Sequence, residues 1–205
     1  MANLKSVMKS TILALALTAF VYPAVASAQG QIYLTPYFSS YYATTSNGLE
    51  AGYLSEKQEN GPGFGAALGF KLSQVLGIEA AYTYVSSGTN ISGASEAVNL
   101  GFAGNIMFAN ARATITAPRS NFYGLAGVGI VKHGGESWEG FDKLTSVAGV
   151  LGLGIQADVS PKVRVDVKVE AQLYSFDPDG DGEDYASKFM PDIMVTIGFP
   201  LFLKR

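Results

Sequence analysis

The chain has 205 residues, no cysteine, one histidine and a formal net charge of −3 at pH 7. A mildly acidic chain lacks the basic stripe that nucleic-acid binding requires, and a chain without cysteine cannot be a disulfide scaffold. Its stability must come from ordinary burial and pairing, and its length suffices for one domain with a core.

Residues 1–28 have the pattern of a secretory signal peptide. A short basic region precedes an apolar run, which ends at the small-residue cleavage motif Ala26-Ser27-Ala28. The run is too short to span a membrane as a helix, and no longer uncharged apolar run follows it. We therefore expect a cleaved signal peptide and one exported domain over residues 29–205; the alternative is a buried N-terminal helix.

The exported part alternates apolar with polar or small residues at a period of two, which predicts β-strands. The alternation is cleanest in "VRVDVKVEAQL", where valines alternate with charges of both signs. In chain order, eight segments are predicted as strands: 31–42, 63–73, 76–85, 97–116, 121–133, 147–159, 163–173 and 192–203. Segment 121–133 is apolar on both faces, so its orientation is undetermined. The isolated Gly104 predicts a bulge within segment 97–116.

Short and long connections alternate between these strands. The short turns are 73–75, 117–121 and 159–162; the long polar connections are 46–62, 87–95, 134–143 and 177–190. In an antiparallel meander, this alternation places every long loop at one end. Even strand number, short turns and long loops together predict an all-β, eight-stranded, antiparallel up-and-down transmembrane β-barrel of the outer-membrane type.

The same alternation also fits a soluble sandwich or a lipocalin-like barrel with its apolar face inward. Glycine-rich faces opposite Phe and Leu favour a narrow lumen with bulky residues facing lipid. The charges on that small face have balanced signs and predict a lumen charge network of Lys71, Glu79, Arg164, Asp166, Lys168 and Glu170. Aromatic residues near the strand ends are expected at the membrane–water boundary: Tyr33, Tyr37, Tyr41, Tyr42, Tyr82, Tyr84, Tyr123, Tyr174, Phe199 and Phe202.

The segments "GFGAALGFKLSQVLGIEAAYTYV", "NFYGLAGVGIVK", "GLGIQADVSPKVRVDVKVEAQLY" and "TIGFPLFL" resemble the small outer-membrane β-barrel family, which includes the membrane domain of outer membrane protein A. The resemblance implies a terminal strand that the outer-membrane assembly machinery reads. The spacing of Thr196, Gly198, Leu201 and Leu203 matches it, although the chain ends in Lys-Arg instead of an aromatic residue. Pro200 should place its nitrogen at an unpaired or bulged position.

Two segments carry residues that could perform chemistry or bind a metal ion. His133, with Glu136 and Ser137 nearby, could activate a hydroxyl, but we expect a solvated loop histidine because loop neighbours rarely hold triad geometry. Asp177, Asp179, Asp181 and Asp184 lie in "DPDGDGEDY", which matches the first half of a calcium loop and lacks its final glutamate. We expect weak calcium binding at most. Trp138 is expected at the membrane interface.

The sequence thus predicts a monomeric, integral outer-membrane barrel with a filled polar lumen, long extracellular loops and a structural or surface-interaction role. Its expected partners are outer-membrane lipid, lipopolysaccharide and the assembly machinery, with no nucleic acid and no cofactor beyond weakly bound calcium. Three alternatives remain: a narrow pore for small solutes, a lipid-A-modifying enzyme centred on His133, and a soluble periplasmic binding barrel.

Overall fold

The computed structural model describes residues 30–44, 50–51, 54–93, 99–117, 119–160, 163–176, 179–180, 183–184 and 188–204. The predicted signal peptide lies outside these residues. Within the described part of the chain, no helix has the length and apolar character needed to cross a membrane.

Eight long strands form one closed antiparallel sheet. They are β1 (Gln31–Tyr42), β2 (Gly61–Lys71), β3 (Leu76–Ser86), β4 (Asn105–Thr116), β5 (Phe122–Gly134), β6 (Thr145–Ser160), β7 (Val163–Phe176) and β8 (Lys188–Gly198). Each strand pairs with its neighbour in sequence, and β8 pairs back onto β1 from Tyr37↔Gly198 to Tyr42↔Ile193. The predicted eight-stranded up-and-down barrel is confirmed.

The last strand is interrupted near its end. β8 stops at Gly198, and a short continuation, Leu201–Lys204, pairs with the beginning of β1. Between them, the Phe199 amide donates to the Pro36 carbonyl at 3.0 Å. Pro200 has no N–H to extend the ladder, which explains why the strand breaks there.

The two faces of each strand meet different surroundings. On β7, Val167 and Val169 are exposed on the outer wall, whereas Lys168 and Glu170 are each 2% exposed inside the barrel. Large apolar side chains lie exposed all round that wall, including Phe38, Leu153 and Val147. An apolar outer belt of this extent is the surface that lipid covers.

The orientation of β5 follows from the same burial pattern. Tyr123, Leu125 and Val131 point into the lumen, while Val128 and Ile130 lie on the lipid-facing wall. The sequence left this orientation open because glycine lies on both faces of the strand and both faces are apolar.

The predicted single strand over 97–116 is wrong, and short strands form within all four segments predicted as long polar connections. The chain forms a separate strand, Asn99–Phe102, and β4 starts only at Asn105. At the break, the Ser87 amide donates to the Gly104 carbonyl at 3.1 Å, and a Cβ on Gly104 would lie 2.5 Å from the Ser87 carbonyl oxygen. Glycine therefore marks the point where the chain leaves the barrel, rather than a bulge within one strand.

A second, smaller sheet lies in the connections beyond β1–β4. Its strands are Glu50–Ala51, Leu54–Gln58, Thr89–Gly93 and Asn99–Phe102, paired in that order. We call these four strands the loop sheet. They fall in the segments predicted as loops 46–62 and 87–95 and at the start of segment 97–116, and they extend the β2–β3 hairpin beyond the barrel.

The predicted boundary position is wrong for half of the aromatic residues. Five tyrosines are buried in the lumen: Tyr33, Tyr37, Tyr41, Tyr123 and Tyr174. A glycine on a facing strand makes room for three of them, Tyr33, Tyr37 and Tyr123. A Cβ on Gly69 would lie 2.1 Å from Tyr33 Cζ, and a Cβ on Gly154 would lie 2.3 Å from Tyr123 Cζ. The small inner face is thus the complement of large inward side chains.

Candidate functional site in the lumen

The lumen is crossed by an ion-pair bridge centred on Arg112. The Arg112 Nε donates to Glu79 Oε2 at 2.7 Å, and its Nη1 donates to Glu170 Oε1. Glu79 lies on β3, Arg112 on β4 and Glu170 on β7, so the bridge joins opposite parts of the wall. The Arg112 side chain has no exposed surface. We call these three residues the lumen bridge.

Other polar groups extend the lumen bridge on both sides. Lys168 Nζ lies 3.4 Å from Glu170 Oε1 and 4.7 Å from the centre of the Tyr37 ring. The Tyr33 hydroxyl donates to Glu79 Oε1 at 2.7 Å. Ion pairs withdrawn from water are tolerated when further hydrogen bonds satisfy their remaining atoms. The result is a cross-section filled by side chains of several strands.

The six residues predicted as a lumen network fall into two groups. Glu79, Asp166, Lys168 and Glu170 line the lumen interior. Lys71 and Arg164 instead lie at the short-turn end, with the Lys71 amine and the Arg164 guanidinium 5.7 Å and 5.3 Å from the centre of the Phe202 ring. Arg164 pairs with the exposed Asp158 at 2.6 and 3.1 Å.

Arg112, which joins the two carboxylates, is not among the residues predicted for the lumen network. A single strand running through Gly104 gives no definite face for this residue. Starting the pattern at Asn105 gives a readable signal, because Asn110, Arg112 and Thr114 then alternate with alanines.

The long-loop end of the lumen is filled by apolar and aromatic side chains. These residues are Tyr41, Val85, Ile106, Phe108, Val131, Trp138, Ala148, Tyr174, Phe176, Met190 and Met194. We call them the outer cluster. The ring of His133 lies among them, with its centre 4.1 Å from that of Phe176 and 5.2 Å from that of Trp138.

A loop folds inward to complete the outer cluster. Trp138 ends the 3₁₀ turn Glu136–Trp138 and is only 4% exposed, so the prediction that it lies at the membrane interface is wrong. Gly135 adopts φ +93°, a conformation that favours glycine, and the Ser137 amide donates to the Ala103 carbonyl at 3.0 Å. These contacts direct the Trp138 indole towards the inside of the barrel mouth.

His133 is not the solvated loop residue that the sequence predicted. It lies on β5 with no exposed surface, and its Nε2 is 3.4 Å from the Tyr174 hydroxyl. The Ser137 hydroxyl donates elsewhere, to the Phe102 carbonyl at 3.0 Å. The neighbours in sequence are therefore engaged in separate structural contacts.

A buried carboxylate links the outer cluster to the wall. The hydroxyls of Tyr41 and Tyr174 both donate to Asp192 Oδ2 at 2.5 Å. Because these tyrosines come from β1 and β7, the carboxylate on β8 ties three neighbouring strands together.

The predicted calcium loop is only partly described. Asp177 and Asp181 lie outside the described residues, and Asp179 pairs with Asp184 through the backbone. Among the described residues, no group of three or more His, Cys, Asp or Glu side chains is arranged to hold a metal ion. Calcium binding by this segment stays a prediction.

Comparison with known proteins identifies the family. The model of the outer membrane protein beta-barrel domain matches residues 11–190. OprG from Pseudomonas aeruginosa superimposes with a TM-score of 0.62 at 12% identity, covering 87% of this chain and 98% of that chain. AlkL, solved in lipid bilayers, superimposes with a TM-score of 0.56 at 14% identity, covering 87% of this chain and 92% of that chain. Neisserial surface protein A superimposes with a TM-score of 0.53 at 15% identity, covering 83% of this chain and 96% of that chain.

No curated protein matches the chain. The structural likenesses, at these identities, show a shared fold, and the family match spans most of the sequence. Together with the closed barrel and its apolar outer belt, they show that the chain belongs to the outer membrane protein beta-barrel domain family and is an integral β-barrel protein of the outer membrane.

Proposed function

We propose that this protein is a closed barrel with a structural or surface-interaction role, and that its lumen is not a route for solutes. The observation that carries the proposal is the lumen bridge, in which Arg112 holds Glu79 and Glu170 across the interior. The outer cluster supports the proposal, because its side chains close the lumen at a second level, nearer the long loops.

The two closures oppose passage for different reasons. A solute crossing the lumen bridge must separate buried ion pairs, and breaking such a pair costs about 3–5 kcal/mol. Above it, a hydrated ion would have to lose its water among Phe108, Phe176 and Trp138. These two barriers favour the closed-barrel role over the narrow pore for small solutes.

The loop sheet supports the surface-interaction part of the proposal. Its pairing continues from the barrel hairpin through the Glu59 amide, which donates to the Gly88 carbonyl at 2.8 Å, and the Ser87 hydroxyl, which donates to the Glu59 carbonyl at 2.6 Å. Since long loops lie outside the cell in such barrels, the loop sheet stands among lipopolysaccharide head groups. We propose that a monomer presents this sheet at the surface, after the assembly machinery has read its terminal strand.

We also propose that the protein is not an enzyme. A Ser–His site requires the hydroxyl within hydrogen-bond reach of the imidazole. Here the Ser137 hydroxyl is bonded to the Phe102 carbonyl, and His133 is packed among aromatic rings. An unchanged lipid-A profile after His133→Phe is expected; loss of a modified lipid-A species in that strain would contradict the proposal.

Conductance in a planar bilayer tests the closed lumen. Protein purified from a porin-deficient strain should give no stable unitary steps. The variant Glu79→Ala, Arg112→Ala, Lys168→Ala, Glu170→Ala, Trp138→Gly removes the lumen bridge together with the cation that pairs with Glu170, and it also removes the indole from the mouth, so it should conduct. Stable steps from the wild-type protein that disappear after heat unfolding would overturn the proposal and favour the pore.

The calcium prediction has its own test. Calorimetric titration of the folded protein with calcium should show weak binding, and the substitutions Asp179→Asn and Asp181→Asn should remove it. Binding that survives both substitutions, or no binding at all, would contradict a site in this loop.

A further inference from the structure

The outer wall of the barrel carries a groove of about 600 Å³. Its outward-facing lining residues are Ile32, Leu68, Phe70, Ile78, Ala80 and Ala111. They come from β1, β2, β3 and β4, so the groove runs across four adjacent strands. Three strand spacings make it roughly 14 Å long across the wall.

The groove exists because small and large outward residues meet in register. Ala80 pairs with Ala111 on one side and with Leu68 on the other, so two methyl groups form the floor beside a leucine. Leu68 and Ile78 stand out from the wall, each about half exposed. From inside, the floor is fixed: the Tyr33 ring fills the space against Gly69.

The position of the groove along the barrel identifies the leaflet. Phe70 and Ile78 pair with each other, close to the short turn in which the Leu72 amide donates to the Leu76 carbonyl at 2.9 Å. Short turns lie at the periplasmic end of these barrels. The groove therefore opens into the periplasmic leaflet, whose hydrocarbon comes from glycerophospholipids, and lies away from the lipopolysaccharide leaflet.

We propose that this groove binds one acyl chain of a periplasmic-leaflet glycerophospholipid. Its outward walls carry no charge, so the ligand is hydrocarbon. Both the ligand and the wall are already in an apolar solvent, so binding depends on van der Waals contact. A recess left without partner atoms loses those contacts, and a flexible chain restores them.

A second copy of this protein fits the recess poorly. A two-fold dimer buries the same patch on both partners, and such an interface must be self-complementary. Two concave grooves brought face to face would leave both unfilled. An acyl chain fills one groove without that requirement.

Native mass spectrometry can count the retained lipid. The protein is reconstituted into vesicles of phosphatidylethanolamine and phosphatidylglycerol with palmitoyl and oleoyl chains, then released in mild detergent. The wild type should keep one phospholipid. Ala80→Leu, which fills the groove, should lose it. Ala157→Leu is the matched control, since Ala157 is also exposed on the outer wall near a short turn, on β6.

Two further measurements check that each variant has folded and that an acyl chain contacts the groove. Heat-shifted migration on a gel establishes that each variant has folded. In the wild type, nuclear Overhauser contacts should join acyl methylene protons to the Ala80 and Ala111 methyl groups in bilayer discs of the same lipids. Equal lipid retention by Ala80→Leu and Ala157→Leu, or absence of those contacts, overturns the proposal. A dimer signal that Ala80→Leu abolishes would instead assign the groove to contact between copies and also overturns it.

Discussion

Arg112→Met tests whether the lumen is held by its central cation. Methionine keeps most of the side-chain length while removing the hydrogen bonds that the guanidinium donates to Glu79 and Glu170. Both carboxylates are withdrawn from water, with side chains 9% and 2% exposed, so they would face each other's charge without the guanidinium. Lys168 contacts Glu170 at 3.4 Å and compensates part of that loss.

The expected magnitude follows from leaving buried charge unpaired. Removing one partner of a buried pair costs about 3–5 kcal/mol, a large part of a typical folding free energy of about 5–15 kcal/mol. Replacing the lumen bridge together with Lys168, the cation that pairs with Glu170, by uncharged residues of similar size costs much less, because two acids and two cations are removed and no charge is stranded. The quadruple variant Glu79→Gln, Arg112→Met, Lys168→Met, Glu170→Gln should therefore be more stable than Arg112→Met alone.

Urea unfolding in lipid vesicles measures the free energy of unfolding of each variant, with the folded fraction read from heat-shifted migration on a gel. Arg164→Met serves as the control, since Arg164 pairs with an exposed carboxylate at the short-turn end and should change stability little. The reasoning is refuted if Arg112→Met unfolds with the wild-type free energy, or if the quadruple variant is no more stable than the single one.

Three further predictions concern packing and the two faces of the wall. Gly154→Ala should lower the free energy of unfolding in urea by about 1–3 kcal/mol, because its Cβ would lie 2.3 Å from Tyr123 Cζ. Gly149→Ala on the same strand should lower it little, since the nearest atom to that Cβ is 3.9 Å away. Equal losses of stability in the two variants would contradict this prediction. Trp138, the single tryptophan, should emit at short wavelength and resist both acrylamide and brominated lipid, and strong quenching by brominated lipid would place it at the membrane instead. Val169→Lys should cost about 2–4 kcal/mol at mid-strand, while Val169→Leu should be neutral; an equally neutral lysine would argue against lipid on that face.

The strands and their lipid-facing sides could be predicted because one periodicity governs both. On β7, every second residue meets lipid, so Val167 and Val169 leave little choice of register. The strand break at Pro200 was also predictable, since a missing N–H interrupts a ladder wherever it falls.

The aromatic positions could not be predicted because tyrosine suits both environments. Its ring can be buried and its hydroxyl bonded either at a membrane boundary or inside a lumen. Tyr82 lies on the outer wall, whereas Tyr33 and Tyr37 lie inside, and nothing local separates them. What decides is the facing strand: Gly65 and Gly69 leave space at the two inward positions, and strand pairing must be known to see it.

The position of Trp138 was hidden for a related reason. Its loop composition gives no sign that a backbone hydrogen bond from Ser137 to the distant Ala103 carbonyl directs the indole inward. Likewise, Arg112 becomes the centre of the lumen bridge only through carboxylates on β3 and β7, which are 33 and 58 residues away in sequence. Contacts between residues so far apart in sequence produce no periodic pattern from which they could be predicted.

The tyrosines also explain how an acid-rich interior can remain closed. The described lumen holds four buried acids and two buried cations, namely Glu79, Asp166, Glu170, Asp192, Arg112 and Lys168. Tyrosine hydroxyls donate to three of those acids: Tyr33 to Glu79, Tyr123 to Asp166, and Tyr41 and Tyr174 to Asp192. A neutral donor satisfies a carboxylate oxygen while its ring fills volume, which a mobile ion or water could not do as well. Tyrosine is therefore the structural basis of closure, with glycine making room for the rings of Tyr33, Tyr37 and Tyr123, and the same side chains that pack the barrel also satisfy its carboxylates.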